Sequence, residues 1–109
     1  MQFLVIGRDG KDKKSEERRM AVRSAHLKLG DKMEKSGNRW YGCAMLNDKG
    51  KMIGSMAVMD FRSKKDLEKW LKSEPYVVGG VWKTIEVHQC DVKTPWKFNR
   101  TKKFFKSRS

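Results

Sequence analysis

Glu74-Pro75-Tyr76-Val77-Val78-Gly79-Gly80-Val81-Trp82 lies between an amphipathic helical pattern and an alternating strand pattern. Pro75 has no backbone N–H to donate and drives Glu74 out of helical geometry. The two glycines permit positive φ just ahead of the last strand. The stretch therefore predicts a fixed, irregular connector that holds the Glu74 carboxylate near the end of a sheet. The chain has two histidines, and one of them, His26, falls in the apolar stripe of the first helical segment. A histidine and a carboxylate placed on scaffold ends form a candidate proton-transfer site.

Upstream, Phe3-Leu4-Val5-Ile6 reads as a short strand, and the polar, glycine-containing run from Gly7 to Lys14 as a loop. A helix is predicted from Ser15 to Ser36. Ser15 is the expected N-cap, with Glu16 and Glu17 in the first turn. Val22, Ala25, His26, Leu29 and Met33 recur on one face at helical spacing. Gly37-Asn38 stops the helix. Trp40–Leu46 and Met52–Met59 are predicted strands joined by an Asn47-Asp48-Lys49-Gly50 hairpin loop. Ser63-Lys64-Lys65-Asp66 has the form of a capping box opening a second helix, whose buried face is Leu67, Trp70 and Leu71. Val81–Cys90 is the last strand, with Ile85 and Val87 on one side. The order βαββαβ is the ferredoxin-like split motif, an α+β fold.

At 109 residues the chain supports one small domain with a single core. Residues 1–92 form that domain, and residues 93–109 form a basic tail. The formal net charge is +13. Lys93 to Ser109 contributes seven basic residues and no acidic one, leaving 19 basic against 13 acidic residues before it. Trp96, Phe98, Phe104 and Phe105 interleave with those cations, a composition suited to stacking on bases or dipping into a membrane surface; the plainer reading is a solubilising tail. No apolar run approaches membrane-spanning length, and Arg8 and Asp9 follow the apolar start too soon for a signal peptide. The expected compartment is the cytoplasm. Cys43 and Cys90 lack metal-like spacing and read as two reduced thiols.

The strands are apolar on both sides. Met52, Met56 and Val58 alternate with Ile53, Ala57 and Met59, and Phe3 and Val5 with Leu4 and Ile6. Two helices cover one sheet face only, so a homodimer through the other face is expected, with a folded-back tail as the alternative. An RNA-binding reading of the same βαββαβ order fails here. It needs aromatic residues at exposed strand positions, where strand three offers Met52, Gly54, Met56 and Val58.

Among candidate site residues, His26 sits with Val22, Ala25 and Leu29 and is expected to point at the sheet. A carboxylate on one ring nitrogen would fix the tautomer and leave the other nitrogen to a substrate. Glu74 is the first choice for that carboxylate, and Asp60, ending strand three, the second. Arg19 and Arg23 lie on nearly the same helix face and suit an anionic group; Ser55 offers a hydroxyl from the sheet. Gly79-Gly80 offers backbone amides, a weak signal by itself. Each has a plainer reading: a structural histidine, a Glu74 that only caps a turn, surface arginines paired with Glu16, and a Ser55 kept small for packing. His88 shares strand parity with Thr84 and Glu86 and is expected in solvent. Tyr76, Trp70 and Trp82 read as core. No GxGxxG, Walker-type, HExxH, paired CxxC or GxSxG motif occurs, and two distant histidines fall short of a metal site.

Taken together, the βαββαβ order, Arg18-Arg19, Arg23-x-x-His26, Gly54-Ser55, and Glu74-Pro75-Tyr76-Val77 with Gly80-Val81-Trp82 resemble the YciI-like (YCII-related) family over about Met1 to Cys90. The resemblance implies a ferredoxin-like fold that dimerises through its sheets into an α+β barrel. It also implies a site built on a histidine and an acidic residue. Many members carry Asp where this chain has Glu74, and the tail after Cys90 lies outside the pattern. The reading as a whole is a small-molecule enzyme. It would transfer a proton through His26 and Glu74, by lyase or isomerase chemistry without a cofactor, on a small anionic or aromatic ligand bound with Arg19, Arg23 and Ser55. The alternative is a non-enzymatic ligand- or polyanion-binding module whose tail meets nucleic acid.

Overall fold

A computed structural model describes residues 1–93; the remainder of the predicted tail lies outside the described residues. The elements are β1 (Gln2–Asp9), α1 (Ser15–Lys35), β2 (Arg39–Leu46), β3 (Met52–Asp60), α2 (Lys64–Ser73), α3 (Pro75–Val78) and β4 (Trp82–Cys90). The strands form one antiparallel sheet in the order β2-β3-β1-β4. This is the expected α+β arrangement, with α3 added.

Period-two alternation in β1 decides which face is buried. Phe3, Val5 and Gly7 pair with Met59, Ala57 and Ser55 of β3. Phe3, Val5, Met59, Phe61, Leu67 and Trp70 make the main core, against which Leu29 and Met33 of α1 and Leu71 of α2 pack. A second cluster of Tyr76, Val81 and Trp82 closes with Val22, Leu71 and Val77. Leu4, Ile6, Met56 and Val58 share the opposite face and are only half-buried. His88 lies on that face and is exposed, as expected.

Several local expectations are corrected. β1 runs to Asp9, so the predicted loop loses its first three residues to the sheet. Ser15 is the first helical residue of α1 rather than its N-cap. Lys14 occupies the cap position without a side-chain bond, and Ser15 N–H donates to the Asp12 carbonyl. Ala25 is exposed, so the apolar stripe of α1 is narrower than its spacing predicts. Gly37, at φ 83°, ends the helix. The Ser63 cap is found: its Oγ accepts from Asp66 N–H at 3.2 Å. The connector from Glu74 is not irregular. Pro75 opens a one-turn helix, a position where its missing N–H costs nothing. Of the glycine pair only Gly80 takes positive φ, 67°.

One buried ionic staple ties α1 to the sheet. The Arg19 side chain donates through Nη1 to both Asp9 oxygens at 2.9 and 3.0 Å. Through Nη2 it donates to the Gly54 carbonyl at 3.1 Å and to Ser55 Oγ at 2.9 Å. Both charged side chains are 3% exposed. Burial pushes the Asp9 carboxyl up from its ordinary value, against the opposing pull of Arg19. The pair fixes the alignment of α1 on the sheet through four hydrogen bonds. Removing one partner alone strands the other charge. Arg19→Met should destabilise the domain by about 3–5 kcal/mol in urea unfolding. Arg8→Ala, which breaks the exposed Arg8–Glu86 pair, should leave the unfolding midpoint nearly unchanged. A fold-neutral Arg19→Met would remove the staple from this account.

Candidate active site

α3 is too short to be stable by itself, and Glu74 sets its start. Glu74 Oε1 accepts from Tyr76 N–H at 3.0 Å, the N-cap bond of that turn. The same oxygen lies 2.6 Å from His26 Nδ1. The Glu74 side chain is 2% exposed and that of His26 19%. Asp60, the second choice for this role, is elsewhere. Its Oδ1 accepts from the Gln2 side chain at 3.1 Å and the Met1 amino group at 3.3 Å.

Aromatic packing fixes the plane of the imidazole. Tyr76 stacks on His26 with ring centroids 3.7 Å apart and planes within 10°, and the Trp82 indole meets it edge-on at 6.2 Å. The Arg19 guanidinium carbon lies 4.6 Å from the Tyr76 ring centre. Arg19 and His26 are seven residues apart on α1, about 10 Å along its axis, and Tyr76 bridges that interval. Gly7 of β1 leaves the space that the Trp82 indole fills; a methyl group there would collide with it. Burial pushes the Tyr76 phenol above its ordinary value despite Arg19 and Arg23. Its hydroxyl therefore stays neutral at physiological pH and available as a donor.

A cavity of about 230 Å³ opens beside these residues, between α1 and the buried sheet face. Arg19, Arg23, His26, Ser55 and Glu74 all line it, so the five predicted site residues are brought together. They are not equivalent. Arg19 and Ser55 are engaged with each other and with Asp9 and Gly54. Arg23 makes no ion pair among the described residues. Trp70, Tyr76 and Trp82, read from sequence as core, are buried and also line the cavity. Arg39 and Gly30 line it as well, and neither stands out in a motif search. Asp9, the partner of Arg19, was hidden by its placement in an expected loop. Among the described residues no group of three His, Cys, Asp or Glu side chains is arranged to hold a metal.

Chemically, a carboxylate on Nδ1 favours the Nδ1–H tautomer and leaves Nε2 as a base. The carboxylate also stabilises the imidazolium that forms when Nε2 accepts a proton. Among solved structures, the chain resembles 5-chloro-2-hydroxyhydroquinone dehydrochlorinase (TftG) of Burkholderia phenoliruptrix in complex with 2,5-dihydroxybenzoquinone. The TM-score is 0.75 at 20% identity, over 86% of this chain and 97% of that one. Rv0793 of Mycobacterium tuberculosis matches with a TM-score of 0.54 at 15% identity, over 85% of this chain and 98% of that one. At these identities the likeness is one of fold. No curated protein matches the chain. The family model of the YCII-related domain matches residues 1–93, and the chain belongs to the YCII-related family.

Proposed function

We propose that the chain is a small-molecule enzyme in which His26 transfers a proton with Glu74 as its buried partner. The observation that carries this reading is the 2.6 Å contact between Nδ1 and Oε1 at the wall of a cavity. His26 Nε2 takes a proton from an acidic C–H of the ligand, and the electron pair left behind forms the new double bond. In a lyase reaction an anion then leaves the neighbouring carbon, so that HX is lost overall. In an isomerase reaction the proton returns to a different carbon. Neither route moves electrons to an acceptor, so neither requires a redox cofactor. The name of the TftG neighbour, a dehydrochlorinase, favours the elimination branch. Arg23 and Tyr76 supply a cation and a neutral hydroxyl to the bound molecule. Arg19 and Ser55 act as positioning residues: both Arg19 terminal nitrogens are engaged in the staple, and Ser55 Oγ accepts from one of them.

The enzyme works as a homodimer joined through the half-buried sheet face of Leu4, Ile6, Met56 and Val58. Pairing two such faces satisfies the apolar surface that the helices leave uncovered. No helix of the described residues is long and apolar enough to cross a membrane. The polyanion-binding alternative rests on residues 93–109, nearly all outside the described residues, and no described surface adds to it.

5-Chloro-2-hydroxyhydroquinone is the first compound to assay, with chloride release as the readout. Hydroxyquinones and 2-hydroxy acids followed by deuterium exchange in D₂O extend the panel. On any compound turned over, His26→Gln and Glu74→Gln should each lower kcat by about 10²-fold or more, with far-ultraviolet circular dichroism unchanged. Turnover retained by a folded His26→Gln chain would end the proton-transfer reading. Sedimentation velocity at micromolar concentration should give a dimer, its interface burying about 1,200 Å² or more in total. Ile6→Lys should shift it toward monomer; a parent chain that is already monomeric would contradict the interface.

A further inference from the structure

Arg39 begins β2, and in a regular strand it would share a face with Tyr41 and Cys43. The ladder with β3 shifts register between Arg39 and Tyr41: Arg39 pairs with Met59, whereas Tyr41 pairs with Val58. This bulge at Trp40 turns Arg39 to the buried face, the one that carries Gly42 and Ala44. Bulges re-aim side chains in this way, often beside functional sites.

Two glycines receive the re-aimed side chain. A methyl group at Gly30 of α1 or at Gly42 of β2 would collide with the Arg39 guanidinium. Gly30 is buried in the interior of a 21-residue helix, where glycine costs about 1 kcal/mol relative to alanine. Gly42 weakens a strand interior for the same reason. Both costs are accounted for if the guanidinium must lie there. Yet Arg39 forms no ion pair with a described residue. It lines the same cavity as His26, where the side chains include three arginines and a single carboxylate, Glu74. That carboxylate is taken up by His26 and Tyr76. The Nε1 groups of Trp70 and Trp82, two buried indoles lining the cavity, also lack a partner among the described residues.

We propose that Arg39, turned inward by the bulge and seated between Gly30 and Gly42, binds the carboxylate of a small organic acid whose reacting end lies at His26. The inference rests on the proton-transfer reading for its reacting end but not for its anion site. Gly30 follows His26 by four residues, about 6 Å along α1, so carboxylate and reacting atom are separated by roughly one ring. The cavity, about 230 Å³, exceeds the roughly 150 Å³ that holds benzene by about the size of a carboxylate. The planar fork of Arg39 suits bidentate carboxylate recognition, which a lysine would not reproduce.

Salicylate and salicylamide, nearly equal in size and differing in charge, are the probes, titrated by calorimetry into the full chain. The wild-type protein should bind salicylate about tenfold or more tightly than the amide, as expected for a charge-assisted pair. Arg39→Gln should reduce the preference several-fold or more. Gly30→Ala, which favours the helix but displaces the guanidinium, should reduce it with the fold intact. His26→Gln should keep it, so a failure of the proton-transfer reading leaves this result untouched. Equal affinity for the two probes in the wild type, no salicylate binding at millimolar concentration, or full preference in Arg39→Gln would each overturn the proposal.

Discussion

A buried carboxylate needs donors, and the Glu74 side chain, 2% exposed, finds two at one oxygen. Tyr76 N–H meets Oε1 at 3.0 Å and His26 Nδ1 meets it at 2.6 Å. The first bond opens the single turn of α3, which delivers Tyr76 to the face of His26 and leads through Gly80 into β4. The second ties that turn to α1. Capping a turn and partnering a histidine are therefore one arrangement. An isolated buried carboxylate costs far more than a paired one, so the cap bond and the histidine contact support the same buried group.

The two long helices divide the work unequally. α2 turns Leu67 and Trp70 into the core. α1 brings Leu29, Met33 and Val22 to the cores but also lines the cavity with Arg19, Arg23, His26 and Gly30. Polar side chains and a glycine where a packing helix would carry large apolar residues leave space against the sheet. The Arg19–Asp9 staple keeps α1 in register over that space. Local choices that weaken packing are what a functional site is expected to show.

Much of this was legible in the sequence. The apolar runs of β1 and β3, the Ser63 cap and the stripe holding His26 specified the elements and their order. The resemblance carried by Arg23-x-x-His26 and Glu74-Pro75-Tyr76-Val77 specified the family. What escaped had physical causes. Asp9 follows Gly7 and precedes Gly10, so its strand conformation is masked by turn-like neighbours, although cross-strand pairing holds it. The one-turn α3 is below the length at which periodicity registers. Arg39 was invisible because a bulge reverses its parity, and no period-two reading anticipates a register shift. Gly30 and Gly42, each inside a regular element, are the sequence signals that could have pointed to it.

The central claim is that Glu74 holds His26 as a base with Nε2 free. Nitrogen-15 correlation spectroscopy of the histidine rings measures this directly. For neutral His26 the account predicts the proton on Nδ1, a bare Nε2, and loss of that preference in Glu74→Gln. A neutral His26 ring protonated on Nε2, or a tautomer distribution indifferent to Glu74→Gln, would contradict it.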